Sequence, residues 1–163
     1  MSRLVSDLET VLRGLVAEHR KLLEQARAHE AALRGMDVVA MDAAAARQEA
    51  TRLRIAAWEN RRRSVVGQIA RTLRLEPTVS LACLADLHPP RRAELLRLRA
   101  ELKGLAEQIS ARTKITSRIA AAVLGHLNTA ARLLAGAVGK AGVYTKQGTP
   151  QVSRRIGVME AVG

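Results

Sequence analysis

The chain contains no phenylalanine, and Trp58 and Tyr144 are its only tryptophan and tyrosine. Aromatic side chains bury the most area per residue. A core without them must be assembled from many small contacts between Leu, Ala, Val and Ile. Strands favour aromatic and β-branched residues, whereas Ala, Leu, Arg and Glu favour helices. Hydrophobic residues make up 48% of the chain, enough for a core, and 163 residues correspond to one domain. The expected fold is therefore all-α, an elongated antiparallel three-helix bundle or coiled-coil hairpin.

The spacing of apolar residues places the helices. Leu4, Leu8, Leu12, Leu15, Leu22, Ala26 and Leu33 recur at helical steps with charges between them. This predicts an amphipathic helix over about 2–34, stopped by Gly35. Asp37 is the expected N-cap of a second helix over about 38–75. The stripe of that helix is patchy: Met41, Ala45, Leu53, Ile55, Trp58, Val65, Val66, Ile69 and Leu73, broken by Glu-Asn-Arg-Arg-Arg at 59–63. Glu76-Pro77 ends it. Ser80 caps a short helix over 80–87. A long helix over about 90–138 begins at Pro89-Pro90, since proline suits a first turn.

The long helix carries a seam that changes character. Leu95, Leu98, Leu102, Leu105 and Ile109 keep a strict heptad, which then meets Arg112, Thr116 and His126. Two readings stay open for its second half: a drift to another core contact, or an apolar strip exposed for a partner. Residues 139–163 read as a flexible, basic, glycine-rich tail.

Charge is distributed unevenly. The net charge is +12, and no Asp or Glu occurs between Glu107 and Glu160. That interval holds Arg112, Lys114, Arg118, Arg132, Lys140, Lys146, Arg154 and Arg155. Such a field attracts acidic protein or nucleic acid. Binding to single-stranded nucleic acid draws on stacking aromatics, which are missing here, so nucleic acid is not the expected partner. A basic helical nucleic-acid-binding protein and a coiled-coil stalk of a secretion ATPase remain as alternatives.

No catalytic arrangement is visible. The glycines follow no phosphate-binding pattern. His19, His29, His88 and His126 lack ligand spacing, so neither metal nor cofactor is expected. Cys83 lies in an apolar run and reads as a small core residue. A lone cysteine suits a reducing compartment. With no signal peptide and no apolar stretch approaching a membrane span, the expected location is cytoplasmic, and the chain is not expected to be an enzyme.

In order and spacing, ALRGMD (32–37), WENRRRSVV (58–66), SLACLADL (80–87), ITSRIAAAVLGHL (115–127), VYTKQG (143–148) and the terminal IGVMEAVG (156–163) resemble flagellar export chaperones of the FlgN-like type. The resemblance implies a helical bundle that binds the C-terminal helical segment of hook–filament junction proteins. It would keep them monomeric and export-competent, and deliver them to the membrane protein of the type III export gate. On this reading Ile119, Val123, Leu127, Leu133 and Leu134 form the substrate-binding strip. Arg112, Arg118 and Arg132 rim it, and Tyr144 with Gly148 docks at the gate.

Overall fold

In the computed structural model, residues 2–76 and 79–141 are described, with side chains for 3–76 and 79–137. Four helices follow one another: α1 (Ser2–Arg34), α2 (Val38–Leu73), α3 (Leu81–Asp86) and α4 (Pro89–Ala141). The described residues contain no strand. The chain divides into two units, Met1–Ala120 and Ala121–Gly163. The expected tail begins three residues inside α4, and 142–163 lie outside the described residues.

The first unit is a bundle of α1, α2, α3 and the α4 residues up to Ala120. Its direction can be read from cross-helix pairs. Arg54 of α2 donates to Glu18 of α1 at 2.8 Å, and Gln48 donates to the Gln25 carbonyl at 3.3 Å. Residue numbers rise on one helix as they fall on the other, so α1 and α2 are antiparallel. Between α1 and α4 the pairs are Arg91–Glu9, Arg13–Glu94, Arg20–Glu101 and Arg112–Glu30, always 81 or 82 positions apart. These helices run parallel, and the chain goes up, down and up.

That constant offset has a heptad logic. Arg13 and Arg20 lie one heptad apart and meet Glu94 and Glu101, also one heptad apart. Glu9 and Glu30, three heptads apart, meet Arg91 and Arg112, again three heptads apart. Charges flanking an apolar seam set partner and register in this way. The seam between them contains Leu8, Leu12, Leu15, Leu95 and Leu98, all almost fully buried. Each such side chain contributes about 1.5–3 kcal/mol by leaving water.

Both long-helix ends in this unit close on left-handed residues other than glycine. Asp37 N–H donates to the Ala32 carbonyl and Met36 N–H to the Leu33 carbonyl. This is the paired bonding of a Schellman end. The residue in the left-handed region is Met36, with φ 54°, and not Gly35, which had been expected to stop the helix. Arg74, with φ 53°, plays the same part for α2, which ends at Leu73, two residues earlier than expected. Asp37 then caps α2 by accepting from Ala40 N–H at 2.9 Å, and Ser80 caps α3 by accepting from Cys83 N–H at 3.2 Å.

The patchy stripe of α2 has a physical explanation. Its buried line runs through Ala44, Gln48, Thr51, Val65, Val66 and Ile69. Gln48 and Thr51 are polar, so a reading confined to apolar residues missed them. They are tolerated because they are bonded: Gln48 also lies 3.1 Å from His29 Nδ1, and Thr51 Oγ accepts from Arg54 at 2.8 Å. Ala45 and Leu53, assigned to the stripe from sequence, are exposed. Trp58 packs against Gly14 of α1, where an added Cβ would meet the ring at 2.7 Å. Cys83 is exposed, unlike the core residue expected, and its neighbours Leu84 and Ala85 take the buried positions.

Candidate functional site

The residues named from sequence fall into three groups. Ile119 and Val123 are half-buried, whereas Leu127, Leu133 and Leu134 are 55%, 71% and 68% exposed. Arg112 gives its guanidinium to Glu30 at 3.0 Å, within the bundle. Arg118 and Arg132 are exposed, and no carboxylate of the described residues pairs with either. Tyr144 and Gly148 lie outside the described residues.

Helix geometry sharpens the strip. At 3.6 residues per turn, Val123, Leu127, Ala130 and Leu134 share one side of α4, and Leu124 and Ala131 extend it. Leu124 is 66% exposed and was missed from sequence. Its three-residue step to Leu127 was the available signal. Leu133 sits at the edge of this face. Arg118 and Arg132 point to the opposite side of the helix from Leu127, about 180° and 140° away by the same geometry. They therefore do not rim the strip, as had been expected. Its edges are neutral, formed by His126 on one side and Asn128 and Ala135 on the other.

The second unit is thus represented by one amphipathic stretch, 121–141, with every described side chain exposed except the half-buried Val123. By length and composition α4 also qualifies as a helix able to cross a membrane, through a window that is unburied. This corrects the expectation that no stretch approaches a span. Alanines between the leucines keep the average apolar even though His126, Asn128 and Arg132 interrupt the run.

Charge pairing is concentrated where α1 faces α2 and α4. There several arginines meet carboxylates. Arg97 and Arg13 hold the Glu94 carboxyl down to about 2 from its ordinary 4.5. Arg112 and Arg34 lower Glu30, and Lys21 with Arg54 lowers Glu18 against the opposing effect of burial. The Glu-Asn-Arg-Arg-Arg cluster is partly committed too: Arg62 binds Glu59 at 2.9 Å and Arg61 stacks 5.7 Å from the Trp58 ring centre. Between Glu107 and Glu160 the sequence holds no acid, so Lys114, Arg118 and Arg132 supply a one-signed field.

A recess of 260 Å³ lies in the first unit between Ala26, His29, Leu33, Gln48, Arg52, Thr113, Thr116, Ser117 and Ala120. It opens where the heptad seam of α4 gives way to small polar residues. His29 and Gln48 in its wall satisfy each other. Among the described residues no group of His, Cys, Asp or Glu could hold a metal ion.

The arrangement offers surface and charge, the means of binding a protein segment. No curated protein matches the chain, and no solved structure matches it. A family model described as FlgN protein matches residues 1–151. The chain belongs to the FlgN family of flagellar export chaperones.

Proposed function

We propose that this chaperone acts in the cytoplasm on hook–filament junction proteins. It binds their C-terminal helical segment along the α4 face formed by Ile119, Val123, Leu124, Leu127 and Leu134. The observation that carries this reading is the concentration of exposed leucines on one helix side. Leu124, Leu127 and Leu134 are all more than half exposed, with Leu133 beside them. An amphipathic helix laid on such a face buries both apolar stripes. Full burial of five such side chains would contribute roughly 1.5–3 kcal/mol each. Association and ordering cost about 4–15 kcal/mol, which leaves binding that is firm and still reversible. Arg118 and Arg132, on the far side, attract an acidic cargo during approach without entering the contact.

Delivery is assigned to the segment after α4. Tyr144 and Gly148 would dock at the cytoplasmic domain of the export-gate membrane protein. Tyrosine combines an apolar ring with a polar tip and is enriched at binding hot spots. The family match extends to residue 151 and so includes both positions.

Co-expression with a junction protein and size-exclusion chromatography at moderate salt test the first assignment. The pair is expected to co-elute, and Leu124→Glu with Leu127→Glu is expected to abolish co-elution. Removal of residues 140–163 should leave the complex intact while export stops. Loss of the complex on that truncation would overturn the division between binding and delivery.

A further inference from the structure

The outward side of α2 carries a seam that the bundle leaves open. Ala46, Ala50, Leu53, Ala57 and Asn60 follow one another at alternating four- and three-residue steps, and Val39 and Ala43 continue the steps toward the start of the helix. That is the spacing of a coiled-coil seam. It lies opposite the buried line of α2, since Thr51 points about 160° away from Leu53. Val39 and Leu53 are 81% and 65% exposed, and Ala46, Ala50 and Ala57 are exposed with them.

The charges beside this seam repeat a rule at work inside the bundle. There Arg13 and Arg20, one heptad apart on α1, meet glutamates one heptad apart on α4. On α2, Arg47, Arg54 and Arg61 stand one heptad apart, each directly after a seam residue, and all three are exposed. Arg54 reaches Glu18 of α1, but neither Arg47 nor Arg61 meets a carboxylate among the described residues. Arg61 stands over Trp58, and a recess of 220 Å³ opens between Arg54, Ala57, Trp58 and Arg61. From 46 to 63 six arginines stand against two glutamates.

These observations fix the chemistry of what can cover the seam. An arginine at the same flanking position of successive heptads calls for acids at the facing positions of a partner helix. A seam made mainly of alanine admits large residues from that helix, because facing positions pack best when large meets small. A second copy of α2 would set alanine against alanine and leave the excess of arginine unanswered. Nucleic acid would answer the arginines but not the apolar seam. The Trp58 ring, packed against Gly14 with Arg61 over it, is no stacking platform for bases.

We infer that the outward seam of α2 docks an amphipathic helix of a second protein, one with large apolar residues along its seam and glutamate or aspartate at heptad-spaced flanking positions. This site lies on a different helix from the proposed cargo face, and the inference does not rest on the assignment of α4.

The experiment uses the full chain and a synthetic peptide of three heptads, with leucine along its seam and glutamate on both flanks, which keeps it from pairing with itself. Calorimetry should show binding that weakens with salt, and Trp58 emission should change as the peptide is added. Leu53→Glu should weaken the complex by about tenfold or more, and so should Arg47→Glu combined with Arg61→Glu. Arg118→Glu combined with Arg132→Glu makes the same change of charge on α4 and should leave the affinity within about twofold. Unchanged helical circular dichroism in each variant would show that the bundle is intact. Absence of binding overturns the inference. So does equal weakening by the α2 and α4 charge reversals, which would reduce the attraction to net charge. Loss of the complex in Leu124→Glu with Leu127→Glu would place the peptide on α4 and overturn it as well. Polyglutamate that binds as tightly as the peptide overturns it equally, as do duplex DNA or anionic lipid vesicles that engage Arg47 and Arg61 where the peptide does not.

Discussion

Two stretches of α4 carry nearly the same local message and meet opposite fates. Leu95, Leu98, Leu102 and Leu105 recur at three- and four-residue steps, and so do Leu124, Leu127, Ala131 and Leu134. The first set is buried apart from the half-buried Leu102. In the second set every side chain is exposed. Helix periodicity states which side of a helix is apolar but not what covers it. The difference lies in the partner. At an offset of 81 or 82 positions, α1 accompanies α4 until α1 ends at Arg34, level with Thr116. The charges change at the same place. Glu94 and Glu101 answer Arg13 and Arg20 in the bundle, and between Glu107 and Glu160 no acid occurs. Past Thr116 the apolar side of α4 has no α1 residue beside it, and that is where the proposed cargo site lies.

Truncating one leucine in each stretch is the strongest way to break this comparison. Leu98→Ala removes a side chain that is 1% exposed and should cost about 2–5 kcal/mol in chemical denaturation. Leu127→Ala, at 55% exposure, should change the same measurement by less than about 0.5 kcal/mol while weakening cargo binding. Similar losses of stability at both positions would remove the distinction.

A smaller effect is expected at Gly14. Its Cβ would stand 2.7 Å from the Trp58 ring, so Gly14→Ala must displace the indole. Overpacking of this kind costs about 1–3 kcal/mol, partly offset by about 1 kcal/mol of helix propensity. Trp58 is the only tryptophan, so its emission should shift to the red and report on the bundle alone. An unchanged spectrum with unchanged stability would contradict the close packing of α1 on α2.

Acid should act on the bundle before it acts on the α4 face. Glu94, Glu30 and Glu18 are all lowered in the folded chain, Glu94 to about 2. A carboxyl lowered on folding stabilises the fold above its unfolded value near 4.5, and that contribution is lost as pH falls through the folded value. Stability should therefore decline between about pH 4.5 and 2. Glu94→Gln should flatten that decline, and a slope identical to that of the parent chain would show that the pairs with Arg97 and Arg13 do not contribute. The smallest effect is expected at a helix end. Met36→Gly relieves a left-handed methionine and should stabilise the bundle by up to about 1 kcal/mol in thermal unfolding.

The helical fold was legible in the sequence because its signals are local and repeat. The spacing of Leu4 to Leu33, the Asp37 and Ser80 caps and the missing aromatics all point one way. Features that depend on two helices at once were not legible. The parallel pairing of α1 with α4 requires knowing that Glu9 and Arg91 meet. The core line of α2 passes through Gln48 and Thr51, whose burial depends on bonds to α1 and to Arg54. The exposed strip was half legible. Its leucines were named apart from Leu124, whereas Arg112 was assigned to its rim although Glu30, 82 positions away, holds it. Arg118 and Arg132 were set beside the strip by sequence proximity, and helix geometry puts them behind it.

Hydrogen exchange of the full chain, with and without the C-terminal helical segment of a junction protein, tests the central claim most directly. Backbone amides across Ile119–Leu134 are expected to slow when the segment binds, while those of α1 and α2 in the bundle keep their rates. Protection confined to the bundle, with exchange across Leu124–Leu134 unchanged in the complex, would contradict the assignment of that face to cargo.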